Sequence, residues 1–125
     1  MGFGEEKSIY LQIAEKIEDA ILSGAFREEE QIPSTTEFSV NMKINPATAL
    51  KGINLLTEDD IVYKKRGLGM FVCPGAKEKI LSKRKKDFSV HYVQALLSEA
   101  KKLKIGRDEI IAMIERGYDH EQNRD

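Results

Sequence analysis

Residues 33 to 60 contain two helix patterns with only a few residues between them, which limits the chain to few folds. The first pattern begins at Pro33 and Ser34, and Glu37 follows Ser34 by three residues, as a capping box requires. The second begins at Asn45, a good N-cap residue, with proline at the first helical position, where its missing N–H costs nothing. Two helices joined so closely predict a helix-turn-helix.

Another helix pattern precedes this pair, and a hairpin pattern follows it. Between Ser8, an N-cap residue, and Gly24, apolar residues recur every three or four positions: Tyr10, Ile13, Ala14, Ile17 and Ile21. The segment AFREEEQ then reads as a solvated turn. After Asp60 the period changes to two, and RGLG permits a tight turn between the strand patterns IVYKK and GMFVC. This order of elements predicts a winged helix.

The remaining chain predicts a helical tail. Pro74 and Gly75 mark a hinge, and residues 77 to 86 hold six cations against one acid. These cations form either the solvated face of a linking helix or additional phosphate contacts. Two amphipathic helices follow, separated at Gly106, and are too short to enclose a core of their own.

The tail can bury its apolar stripes in two ways, against the head or against a second copy of the chain. We favour the second copy, because a two-fold dimer presents two recognition helices to a palindromic site. The predicted dimer contacts are Tyr92, Val93, Leu96, Leu97, Ala100, Leu103, Ile110, Ile111 and Ile114. We therefore predict a mainly α-helical chain with a small β-hairpin, a winged helix-turn-helix head at residues 8–74 and a helical dimerisation tail at residues 75–118.

Charge is polarised within the head, although the net charge of the whole chain is only -1. Residues 1 to 76 hold eight cations and twelve acids, whereas residues 43 to 66 hold five cations and three acids. Phosphate contacts dominate affinity for DNA. The acids of the first helix and of REEEQ are therefore expected to face away from a DNA partner.

The residue types on the second helix of the pair and on the hairpin suit DNA. In a helix-turn-helix the second helix enters the major groove, where Asn and Thr hydrogen-bond bases or phosphates and Ala contacts the thymine methyl. On the hairpin, Lys64, Lys65 and Arg66 are expected to lie near phosphates or the minor groove, and the glycines let the backbone approach closely. Each signal alone also fits a solvated surface, but their order along the chain favours double-stranded DNA.

Several other classes of protein find little support. Cys73 is the only cysteine, so no internal disulfide forms and a reducing compartment is expected. His91 and His120 are isolated, and no Gly-Lys-Ser/Thr follows RGLG, as a nucleotide-binding loop requires. No apolar run approaches the ~20 residues of a membrane span, and MGFGEEKS lacks the cations and apolar run of a signal peptide. We predict a cytoplasmic, non-enzymatic protein without cofactor or metal.

Residues 8–73 resemble the N-terminal winged-helix domain of GntR-family bacterial transcription regulators. The resemblance rests on IYLQIAEKI, on AILSG before a short loop, on IPS, on INPAT and on the closing RGLGMFV. The tail, with AKKLKIGRDEIIAMIERG, is similar to the YtrA-type subfamily. The resemblance implies a homodimeric, operator-binding regulator, commonly a repressor associated with genes for ATP-binding-cassette transporters. The short tail leaves a small-molecule effector unassigned.

The resemblance also implies DNA contacts, and this chain departs from the family at several positions. Thr36 replaces the arginine of Pro-Ser-x-Arg-Glu, Leu68 replaces a cation of the wing, and Met70 replaces the wing's threonine. These departures suggest altered DNA recognition and motivate an alternative, a protein-interaction module built on a degenerate winged helix. The predicted DNA contacts are Ser34, Thr36, Asn45, Ala47, Thr48, Lys51, Lys65, Arg66, Gly67 and Gly69.

Overall fold

A computed structural model describes residues 8 to 122 of the chain. The segment on which the signal-peptide prediction depends lies almost wholly outside these residues. The described chain separates into two compact units, one ending at Lys85 and the other beginning at Lys86. The boundary that the sequence predicts, between residues 74 and 75, therefore falls inside the first unit.

Three helices form most of the first unit, and all three agree with the sequence prediction. Helix α1 spans Ile9–Ser23 and ends at Gly24, whose φ of 89° is left-handed. Helix α2 spans Thr35–Met42, and helix α3 spans Pro46–Glu58. The link between α2 and α3 is three residues long and passes through Lys43, which has a φ of 55°. The helix-turn-helix is confirmed.

The described residues also contain a small antiparallel sheet of three strands in the order β1-β3-β2. Strand β2 (Val62–Lys65) and strand β3 (Gly69–Val72) form the predicted hairpin. Strand β1 (Gln31–Ile32) pairs with the other side of β3. The prediction of a purely solvated turn for AFREEEQ is wrong at its last residue. Two residues carry too little periodicity to indicate a strand, and their pairing depends on a distant partner.

The core of this unit lies between the three helices and the inner face of the sheet. Helix α1 contributes Ile13, Ile17 and Ile21, and helix α3 contributes Ile53 and Leu56, all with almost no exposed surface. The sheet contributes three aliphatic residues: Ile32, Val62 and Val72. Burial of these side chains stabilises the fold by roughly 1.5–3 kcal/mol each.

The next helix belongs in part to the same core. Helix α4 spans Ala76–Phe88 and buries Ala76 and Ile80 completely. A π-helical segment, Ser89–Val93, follows it directly.

The second unit contains the two amphipathic helices that the sequence predicts. Helix α5 spans Gln94–Lys102 and helix α6 spans Arg107–Gln122. Gly106 lies between them, as expected. Helix α6 continues beyond Tyr118, where the predicted tail ends.

Candidate nucleic-acid interface

Side-chain caps begin both helices of the helix-turn-helix. The Ser34 hydroxyl accepts a hydrogen bond from the Glu37 amide at 3.1 Å, and the Glu37 carboxylate accepts one from the Ser34 amide at 3.0 Å. The Asn45 side-chain oxygen accepts a hydrogen bond from the Ala47 amide at 2.8 Å. Caps of this kind are worth about 1 kcal/mol each. Ser34 and Asn45 therefore have structural roles in addition to the DNA contacts predicted for them.

Helix α3 has one buried face and one exposed face. Ala49, Gly52, Ile53 and Leu56 are buried. The exposed stripe consists of Ala47, Leu50, Lys51 and Asn54, at the spacing of one helix face. This stripe starts in the first turn of α3 and is the surface that a recognition helix presents to a DNA groove.

A close approach of two backbones fixes α3 against α1. A Cβ atom placed on Gly52 would lie 2.8 Å from the Tyr10 carbonyl oxygen and 3.2 Å from the Ile13 side chain. Only a glycine allows this contact. Beside it, the Lys51 ammonium lies 4.1 Å from the centre of the Tyr10 ring, a cation–π contact. The charge of Lys51 is therefore held near the start of α1.

The tip of the hairpin, residues 66 to 69, is an exposed turn with a defined shape. Gly67 and Gly69 have φ values of 78° and 119°. The Gln31 side-chain amide donates a 2.7 Å hydrogen bond to the Leu68 carbonyl. A Cβ atom on Gly69 would lie only 2.6 Å from that amide nitrogen, so the hydrogen bond depends on glycine. Strand β1 thus braces the tip.

Three consecutive cations, Lys64, Lys65 and Arg66, lie at the start of this tip, and their contacts differ. The Lys65 ammonium lies 4.5 Å from the centre of the Phe71 ring. The side chains of Lys64 and Arg66 are exposed, and neither makes an ion pair or side-chain hydrogen bond with any residue between 8 and 122. Since both charges are already solvated and unpaired within the described chain, they are available to phosphates at little cost.

The structure places the predicted DNA contacts in three groups: the start of α2, the first turns of α3 and the hairpin tip. All are exposed or half-exposed, including Thr36 and Thr48. Their contacts with DNA stay predictions. The predicted set omitted Leu50 and Asn54, although their helical spacing from Ala47 could have indicated them. It also omitted Gln31, for which no local signal exists, because its partner is 37 residues away.

Comparison with known proteins identifies the family. The profile of the bacterial regulatory proteins of the gntR family matches residues 9–72. The chain belongs to this family. Its DNA-binding winged helix-turn-helix is therefore that of a GntR-family transcription regulator, as the sequence resemblance predicts.

Individual relatives agree with this assignment over the full described fold. A crystal structure from Bacteroides thetaiotaomicron, of a protein described as a GntR-family regulator, has a TM-score of 0.79 and 37% identity. That match covers 94% of this chain and 100% of the other. YhcF of Bacillus subtilis, an uncharacterised HTH-type transcriptional regulator, is 26% identical over 87% of this chain and 88% of its own.

The YtrA-type subfamily has weaker support. The HTH-type transcriptional repressor YtrA of Bacillus subtilis is 29% identical, but the match covers only 55% of this chain and 53% of YtrA. Assignment to the YtrA-type subfamily therefore rests mainly on the resemblance of the tail.

In this GntR regulator, α4 is tied to α1 by an ion-pair cluster. Glu18 is buried and accepts hydrogen bonds from both Lys83 and Arg84. Arg84 also contacts Asp19 at 2.7 Å, and Lys83 contacts Asp59 at 3.2 Å. Two of the six cations at residues 77 to 86 thus neutralise acids of the head, which answers part of the question that the sequence left open.

The same cluster shifts the pKa of both cations. Burial alone would lower the pKa of Lys83, but hydrogen bonds and attraction from Glu18 and Asp59 outweigh it and raise that pKa. The pKa of Arg84 is likewise raised, because Asp19 and Glu18 outweigh its desolvation. Both side chains therefore carry their charge at neutral pH.

A second polar contact holds the start of α4. The Glu28 carboxylate accepts hydrogen bonds from the amides of Gly75, at 2.8 Å, and Lys77, at 3.4 Å. A carboxylate is favoured at a helix N-terminus, where backbone amides are unpaired. Glu28 therefore gives this loop a structural role. The predicted hinge at Pro74 and Gly75 is thereby tethered to the head.

The second unit of this GntR protein carries an apolar groove between α5 and α6. Its lining includes Tyr92, Leu96, Leu97, Ile111 and Ile114, all of them exposed in the single chain. Val93 and Ile110 line it as well, and Ala100 forms its buried floor. Leu103 is exposed but does not line the groove. The predicted dimer residues therefore gather, with that exception, on one surface.

Two further observations bear on the predictions made from the sequence. Between residues 8 and 122, no group of three or more His, Cys, Asp or Glu side chains is placed to hold a metal ion. Over the same residues, no helix is both long enough and apolar enough to cross a bilayer.

Proposed function

We propose that this GntR regulator is a homodimeric repressor that binds a palindromic operator. Helix α3 would read the major groove, and the hairpin would contact the flanking minor groove and phosphates. The observation that carries the proposal is the combination of the exposed α3 stripe, from Ala47 to Asn54, with the unpaired cations Lys64 and Arg66 at the hairpin tip. Sequence-specific recognition of DNA by a winged helix requires both a helix that reads the groove and a wing that binds phosphates.

The distribution of ion pairs supports this orientation. The acids Glu18 and Asp19 are engaged by α4, so their charge is neutralised within the protein. No comparable acid contacts Arg66 among the described residues. The positive end of the head is therefore the hairpin side. With few free cations, one head offers few phosphate contacts and binds weakly, which favours a two-headed dimer.

The tail supports the dimer. A groove lined mainly by aromatic and aliphatic side chains, with Lys101 and Arg107 as its charged members, is costly to leave in water, because full burial of one aliphatic side chain is worth roughly 1.5–3 kcal/mol. A second copy of the same groove is a self-complementary partner under two-fold symmetry. We therefore assign Tyr92, Leu96, Leu97, Ile111 and Ile114 to the dimer contact.

The direction of regulation and the kind of operon rest on likeness to relatives. YtrA carries the name of a repressor. The YtrA-type subfamily is associated with transporter genes, so a transporter operon is the proposed target. Repression then follows from steric exclusion of the transcription machinery at an overlapping operator.

The test is a selection of duplexes from a random DNA pool by the full chain, followed by a salt titration of the best duplex. We expect a palindromic winner whose affinity falls steeply with salt, by a log–log slope of about -0.9 for each neutralised phosphate. A winner with a single half-site would overturn the dimeric mode. Absence of any enriched duplex would overturn specific DNA binding.

The alternative, a protein-interaction module, has one observation in its favour. Val40 on α2 and Leu50 on α3 are 68% and 47% exposed, on the helices that would face DNA. Apolar side chains can contact thymine methyls, but they can equally bind another protein. The selection separates the two, because an interaction module enriches no sequence.

A further inference from the structure

The hairpin tip presents an apolar side chain where its surroundings are cationic. Leu68 is 63% exposed, and Lys64, Lys65 and Arg66 precede it within four positions. An apolar residue next to cations matches the composition of side chains that enter the DNA minor groove, whose negative potential attracts Arg and Lys and into which Leu, Ile or Phe side chains insert.

The tip is held ready for such a contact. The Gln31 side chain donates to the Leu68 carbonyl at 2.7 Å, and the Leu68 amide donates to the Lys65 carbonyl at 2.9 Å. Both backbone polar groups of Leu68 are therefore satisfied within the protein, and its side chain points away without a partner in the core cluster. Ordering the turn in advance lowers the entropic cost of inserting it into a groove.

The chemistry of the minor groove then determines which base pairs suit a leucine. A·T and T·A pairs present only acceptors, whereas G·C adds the guanine N2 amino group, which projects from the groove floor. Leucine cannot accept a hydrogen bond from that amine, and covering it would remove its water. A lysine or arginine has no acceptor either, but its long stem can follow the groove wall and leave the amine hydrated.

We propose that Leu68 is a specificity-determining residue that selects A·T pairs in the minor groove beneath the wing. The inference rests on the proposed DNA-binding function and deepens it. The leucine that stands at position 68 in place of the usual wing cation then alters which DNA sequences are bound as well as how tightly they are bound.

The experiment uses the best duplex from the random selection and the full-length chain. Each A·T pair that flanks the two half-sites is replaced in turn by G·C and by inosine·cytosine. Inosine·cytosine keeps the major-groove pattern of G·C but lacks the N2 amine. We expect at least one flanking position on each side where G·C weakens binding about fivefold or more, while inosine·cytosine restores it to within about twofold.

Matched variants assign the effect to the side chain. Leu68→Ala should reduce the G·C penalty to less than about twofold, and Leu81→Ala, an exposed leucine on α4, should leave it unchanged. Equal penalties for G·C and inosine·cytosine, absence of any flanking penalty, or an undiminished penalty in Leu68→Ala would each overturn the inference. Failure to select any duplex would instead overturn the proposed function, so the two failures are distinguishable.

Discussion

Gly52 shows how a single residue positions the recognition helix. Its missing side chain lets the α3 backbone approach Tyr10 and Ile13 of α1 more closely than any other residue would allow. This contact sets how closely α3 packs on α1 and so fixes the position of the exposed stripe on the opposite face of α3.

The first prediction concerns Gly52→Ala. The added Cβ would lie 2.8 Å from a backbone carbonyl, which cannot move as a flexible side chain can. We expect a loss of about 1–3 kcal/mol in the free energy of unfolding, measured by urea denaturation. Gly117→Ala is the matched control, because nothing lies within 4 Å of its Cβ position in α6. That change should stabilise by up to about 1 kcal/mol, and equal effects of the two would contradict the interpretation.

Arg66 carries the second prediction at this scale. Arg66→Ala should weaken binding to all duplexes alike and reduce the salt slope by about two, because the proposed dimer loses one phosphate contact from each of its two wings. The melting temperature should stay the same, because the Arg66 side chain has no ion pair or hydrogen bond among the described residues. Lys16→Ala, an exposed lysine on α1, is the control and should bind like the unmodified protein. An unchanged salt slope in Arg66→Ala would remove Arg66 from the interface.

Among the elements, α4 is the one whose role the ion pairs define. Its sequence is rich in lysine and has a weak apolar pattern, so it resembles a solvated linker. Its first turns nevertheless pack Ala76 and Ile80 into the core, and Lys83 and Arg84 close over Glu18. Apolar packing and charge pairing thus act together to hold α4 on α1.

The third prediction tests this attachment with Glu18→Gln. The substitution keeps the shape but removes a buried charge that serves two cations. Both cations remain about one-third exposed and can regain water, so the expected loss is about 1–3 kcal/mol, below that of a fully buried pair. Asp19→Asn is the control, since Asp19 is 63% exposed and should cost less than about 1 kcal/mol. Both are measured by thermal unfolding at one protein concentration, and equal losses would refute a special role for Glu18.

At the scale of the whole molecule, the proposed dimer makes the tail responsible for bringing two heads to DNA. Neighbouring positions on α6 offer a direct test of the dimer. Ile114 lines the apolar groove, whereas Met113 does not. Their exposures in the single chain are 46% and 45%, so solvent contact alone does not distinguish them.

The fourth prediction follows from that pair. Ile114→Glu should shift the protein from dimer to monomer in sedimentation velocity, because a carboxylate in an apolar contact loses its hydration. Met113→Glu should remain a dimer. Circular dichroism checks that both variants keep their helices. If both remain dimeric, or both dissociate, the groove is not the dimer contact.

The sequence alone determined the features whose signals are local. Capping residues at Ser34 and Asn45, apolar spacing along α1 and α3, and the glycines of the hairpin each act within a few residues. Such signals can be read from a short window, so the helix-turn-helix and the wing could be predicted together with the groups of residues they expose.

Tertiary structure alone decided the contacts between distant parts of the chain. Gln31 braces a tip 37 positions away, Glu28 holds an amide 47 positions away, and Glu18 meets Lys83 across 65 positions. No periodicity links such residues, because the pairing exists only after the chain has folded back on itself. The cations of helix α4 therefore fit either a solvated face or phosphate contacts on the sequence alone, and only the fold reveals the buried carboxylate of Glu18 that binds two of them.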